Sequence, residues 1–101
     1  MNRKAKGARS EKKSIEYLEA RGYRCTKSAG SLGEWDIIGI GDSDVVLVQV
    51  KSNNWPRPAE MERLNAFVAS ANCIKLIHRW DDRNPEPKIK SLQNQGQKTT
   101  K

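Results

Sequence analysis

The sequence predicts one α/β domain: a mixed β-sheet flanked by helices, in the order helix, three strands, helix, strand, with a last edge strand. Three observations predict it. Residues 8–21 carry apolar side chains at helical spacing and run into Gly22. Two strand-like runs flank the turn Gly41-Asp42-Ser43-Asp44, which makes a hairpin. A strand pattern, a helix pattern and a second strand pattern then follow one another over residues 45–80, the order of a βαβ crossover.

Residues 1–7 are basic and lack apolar periodicity, so they read as a flexible basic arm. In the first helix Glu11, Ile15, Leu18 and Gly22 fall on one stripe, and Gly22 stands where a C-terminal cap glycine belongs. Residues 23–28 read as a short strand and residues 35–40 as the first arm of the hairpin. Its second arm, 45–51, is mostly β-branched from Val45 to Val50, as suits a central strand covered on both faces. Residues 52–58 form a loop with two prolines and Trp55. A second helix is expected over 59–71, with Met61, Leu64, Phe67, Val68 and Ala71 as its apolar face and Glu60 and Glu62 suited to its N-terminal dipole. In the strand 74–80, Ile74, Leu76 and His78 alternate with Lys75, Ile77 and Arg79. Residues 88–92 add the edge strand, and the polar run 93–101 reads as a disordered tail.

With 101 residues and 36% hydrophobic residues, the chain suits one domain with a thin core. No stretch approaches the roughly 20 apolar residues of a membrane span, and no signal peptide is visible, so an intracellular, cytoplasmic, soluble protein with no membrane partner is expected. Cys25 and Cys73 form no CxxC pair and have no nearby His, which leaves them as free thiols. The net charge of +7 favours a polyanionic partner. Residues 1–30 hold nine basic against three acidic residues, +6 of that total, so Arg3, Lys4, Lys6 and Arg9 are candidates for phosphate contacts.

The register of the hairpin singles out a second group. If Ile40 pairs with Val45, Asp36 lies opposite Gln49, and strand period puts Lys51 on the face of Gln49 and Val50 on the other. Three polar side chains then gather at the open end of an apolar hairpin, where burial without a partner is costly. Glu11, inside the apolar stripe of the first helix, calls for a cation, a metal or a hydrogen-bond donor, or else caps the helix start. Trp55 either packs over a helix end or stacks on a base. Trp35 and Trp80 read as packing residues, and His78 as a satisfied core or edge histidine.

The runs Lys6-Gly7-Ala8-Arg9-Ser10-Glu11, Leu18-Glu19-Ala20-Arg21-Gly22-Tyr23, Ser28-Ala29-Gly30-Ser31, Asp36-Ile37-Ile38 and Gln49-Val50-Lys51 resemble, in order and spacing, the archaeal-type Holliday junction resolvases of the PD-(D/E)XK nuclease superfamily. The resemblance covers residues 6–52. It implies a restriction-endonuclease-like core over 8–92 and a metal-dependent endonuclease that hydrolyses phosphodiester bonds in branched DNA. It implies that Asp36, Glu11, the side chain at 49 and the Val50 carbonyl serve a Mg2+ site in which Mn2+ substitutes. It further implies a catalytic Lys51, a DNA-contacting Ser31 near the site, and a homodimer, because a junction needs two matched cuts. One position departs from the pattern: Gln49 stands where the family has Glu. An amide oxygen still suits a hard cation, but one negative charge is lost. Two alternatives stay open: a nicking or restriction-like endonuclease on duplex DNA, and a catalytically inactive DNA-binding module marked by Gln49. An RNA-binding domain is weaker, since no aromatic pattern supports it.

Overall fold

A computed structural model of the chain describes residues 3–28 and 33–92, with side chains from residue 7 onward. The elements are α1 (Arg3–Glu19), β1 (Arg24–Lys27), β2 (Ile37–Ile40), β3 (Val45–Ser52), α2 (Pro58–Ala66), β4 (Cys73–Trp80) and β5 (Lys88–Leu92). The five strands form one sheet in chain order. β1–β2, β2–β3 and β4–β5 are antiparallel, and β3–β4, joined through α2, is parallel. The mixed sheet with two helices is the α/β architecture that the patterning predicts.

β3 is the spine. Its residues face alternately to the two helices, and both faces are covered. On the α1 side Val46 and Val48 pack with Ile37 and Leu18. On the α2 side Leu47 packs with Trp35, Leu64 and Ile77. Each such large apolar side chain, fully buried, contributes about 1.5–3 kcal/mol. Gly39 lets β2 lie flat here, because a Cβ on it would stand 2.8 Å from Val46 Cγ2.

Several boundaries differ from expectation. α1 begins at Arg3, five residues before the helix start expected at residue 8. It closes as expected, with Gly22 at φ 96°. Its buried line is Ser10, Ser14 and Leu18, with Glu11 and Ile15 only half-buried. That line is polar because it has partners. Ser14 Oγ accepts from Trp80 Nε1 at 2.7 Å and bonds His78 Nδ1 at 2.9 Å, and the Ser10 and Ser52 hydroxyls meet at 2.7 Å. His78 is a fully buried core histidine, and burial pushes its pKa down to about 4.

α2 begins at Pro58, where proline's fixed φ suits the first helical position. It ends at Ala66, five residues early, and Val68 is 67% exposed rather than part of an apolar face. The cause is Lys75. This fully buried lysine of β4 donates to the carbonyls of Leu64 at 3.1 Å, Asn65 at 3.1 Å and Phe67 at 2.7 Å. It satisfies the orphan acceptors of the helix end, while the Phe67 ring turns inward onto Trp35 at 5.7 Å. No described helix is long and apolar enough to cross a membrane. Ser31 and the 93–101 tail lie outside the described residues.

Candidate active site

The site lies where β2 has ended and β3 continues. The pairing Ile40↔Val45 through Ile37↔Val48 is the predicted register. One residue before β2, the Asp36 backbone is held on both sides: its N–H donates to Val48 O at 2.8 Å, and its carbonyl accepts from Ser28 N at 2.9 Å. The Ser28 hydroxyl also donates to the Trp35 carbonyl. Val50, two residues beyond Val48, turns its backbone groups to the same side, past the end of β2. Its N–H donates to Asp36 Oδ2 at 2.8 Å, and its carbonyl faces the same opening.

Gln49 and Lys51 lie on the other side of β3's pleat, towards α2. Gln49 is 6% exposed and donates through Nε2 to Glu60 Oε2 at 3.0 Å, while its Oε1 is buried without a hydrogen-bond partner among the described residues. Lys51 Nζ lies 3.1 Å from Glu60 Oε1 and 3.4 Å from Oε2. Glu11 reaches Lys27 at 3.6 Å from the α1 side. Burial pushes the Asp36 carboxyl up to about 6. The Val50 N–H opposes the rise, the Glu11 charge adds to it, Lys51 opposes it and Glu60 adds to it. Asp36 therefore feels carboxylates from both helices.

Val50, Lys51, Ser52, Asn54, Trp55, Arg57, Glu60 and Gly7 line an open cleft of about 660 Å³. Trp55 is 36% exposed on its wall. Arg79 and Lys90 stand over its ring at 5.4 and 5.9 Å. Arg9 is exposed on α1. Arg3, Lys4 and Lys6 lie on the first turns of α1, at the end where Gly7 borders the cleft; their side chains lie outside the described residues, as does all of Ser31.

The structure thus brings Asp36, Gln49, Val50 and Lys51 together, and Glu11, paired with Lys27, is near enough for its charge to act on the Asp36 carboxyl. Sequence reasoning missed Glu60, whose place in the first turn of α2 reads as a dipole effect alone. It also missed Arg79 and Lys90 beside Trp55, which come from strands far along the chain.

Among the described residues, no three His, Cys, Asp or Glu side chains converge to hold a metal by themselves. A divalent cation here also needs amide and backbone oxygens. The partnerless Gln49 Oε1, the Val50 carbonyl and the Asp36 carboxylate are the oxygen donors that a hard cation takes.

No family model matches the chain, and no curated protein matches it in sequence. Among solved structures, it is similar to Hjc, a Holliday junction resolvase from the archaeal hyperthermophile Archaeoglobus fulgidus. The TM-score is 0.70, over 84% of this chain and 76% of that one, at 17% sequence identity. At that identity the likeness is one of fold: the sheet and its two helices form a restriction-endonuclease-like core.

Proposed function

We propose that the protein is a metal-dependent endonuclease that hydrolyses phosphodiester bonds in branched DNA, in the manner of a Holliday junction resolvase. The observation that carries this reading is the half-buried Asp36 carboxylate, anchored on the N–H of Val50, which with Lys51 lines the open cleft. The resolvase-like fold supports the choice of branched DNA.

Asp36, Gln49 Oε1 and the Val50 carbonyl would hold Mg2+, or Mn2+ in its place, with Glu11 further out. Such a cation would supply neutralisation of phosphate charge and activation of water for attack. Lys51 steadies charge developing on the phosphate. Arg9 and the basic first turns of α1 hold the flanking backbone. Trp55 offers a face on which an unpaired base near the branch stacks. Two matched cuts need two centres, so the working form is a symmetric dimer. DNA as substrate and the free thiols of Cys25 and Cys73 suit an intracellular setting.

The test is cleavage of a labelled four-way junction and its matched duplex, with Mg2+, Mn2+ or EDTA, by wild type, Asp36→Ala and Lys51→Ala. Metal-dependent cutting of the junction by wild type alone is expected. Equal cutting of the duplex would assign a nicking enzyme instead. Binding without cutting in either metal would assign an inactive DNA-binding module, the alternative that Gln49 in place of Glu leaves open.

A further inference from the structure

The centre is short of charge as it stands. With Gln49 in place, the Asp36 carboxylate is opposed by the ammonium of Lys51 and the Glu11 carboxylate is paired with Lys27, while a divalent cation is held mainly by ligand charge. We propose that Glu60, from the first turn of α2, is the second carboxylate of the metal site and restores the charge that Gln49 lacks. This rests on the metal-dependent reading above.

The orientation of Gln49 is the first support. A carboxylate only accepts hydrogen bonds, so the amide must turn its NH2 to Glu60. The assignment of nitrogen and oxygen is then settled by chemistry, and Oε1 is left as the end without a partner in a side chain that is 6% exposed. One amide can serve both purposes: its nitrogen fixes Glu60, and its oxygen is a ligand beside it.

The second support is Lys51. Its ammonium sits astride both oxygens of Glu60, at 3.1 and 3.4 Å. A lone cation spanning a carboxylate occupies a position that a metal ion would contest. The geometry makes Glu60 a shared partner. It holds Lys51 in the metal-free protein and releases it when the cation binds, which frees the ammonium for the phosphate.

A purely structural Glu60, serving only to park Lys51, predicts different metal binding. Mn2+ alone, without DNA, is titrated into wild type, Glu60→Gln, Asp36→Asn, Lys51→Met and the double variant Glu60→Gln/Lys51→Met, with free Mn2+ read by electron paramagnetic resonance. Glu62→Gln, exposed on the same helix, is the control. Expected are a loss of affinity of about tenfold or more in Glu60→Gln and none in Glu62→Gln. Lys51→Met should bind Mn2+ several-fold more tightly, and that gain should shrink once Glu60 is also replaced. Wild-type affinity in Glu60→Gln alongside loss in Asp36→Asn would overturn the role of Glu60 and leave the metal centre standing. An unchanged affinity in Lys51→Met would also overturn it, whether or not Glu60→Gln folds. No Mn2+ uptake by wild type would remove the metal-dependent reading and this role together, a pattern distinct from loss of Glu60 alone.

Discussion

Asp36→Asn tests the electrostatics of the centre with neither metal nor DNA present. Burial is the main reason that this carboxyl rises from 3.8 to about 6. A group raised in the folded state keeps its proton where the unfolded chain has lost it, so stability falls as pH climbs from about 4 to about 6 and stays reduced above that. The rise corresponds to at most about 3 kcal/mol. The carboxyl is only partly enclosed, and solvent screening leaves roughly 1–2 kcal/mol. The amide keeps an acceptor for the Val50 N–H and carries no charge. In EDTA near neutral pH the variant should be more stable by that amount, about 5–10 °C in Tm for a domain of this size. Near pH 4 the two proteins should melt together. His78 works in the opposite sense: burial, then Arg21, lowers it to about 4, so its contribution is present above about 6.5 and is lost as pH falls towards 4. In wild type the two slopes offset each other, and Asp36→Asn should uncover that of His78. Thermal melts of both proteins across this range decide it. A difference that does not change with pH, or a variant less stable at neutral pH, would refute the electrostatic account.

Lys75→Met strips three carbonyls of their donor and should destabilise the fold by about 2–3 kcal/mol in urea denaturation, with faster hydrogen exchange at the end of α2. Trp55→Ala should weaken junction binding by about 1–3 kcal/mol in a fluorescence titration and leave Mn2+ affinity unchanged. Neutralising Arg3, Lys4 and Lys6 together should flatten the plot of log affinity against log salt by about one unit for each phosphate that these side chains neutralise. Gln49→Glu turns the hydrogen bond to Glu60 into a contact between two acids. The metal-free variant should therefore melt lower at neutral pH, yet saturate with Mn2+ at lower concentration by calorimetry.

The hairpin was legible because its information is local. A tight turn and side-chain alternation set Ile40 against Val45, and every later pair follows. The covering of β3 on both faces followed from its β-branched run for the same reason. What the sequence hides depends on reach between elements. The apolar period of α2 continues through Val68 and Ala71, and only Lys75, on a different strand, explains why the helix stops. Ser10 and Ser14 break the apolar stripe of α1, and their role appears only once Ser52, His78 and Trp80 face them. Glu60 had a sufficient local explanation in the helix dipole, which masked its place beside Gln49 and Lys51.

The placing of Asp36 follows from backbone accounting at the end of a sheet. Because β2 stops at Ile37 while β3 runs on to Ser52, Val50 presents a half-buried N–H to a neighbour that has ended. Left unpaired, such a group costs about 1–3 kcal/mol. The Asp36 carboxylate takes the bond that the missing strand would have made. Its own N–H and carbonyl are already engaged by Val48 and Ser28, so the residue is tied at three points before any ligand arrives. The same bond counters part of the burial that raises its pKa. One contact therefore ends the ladder, orients the acid and favours its charged form, the form that a divalent cation requires.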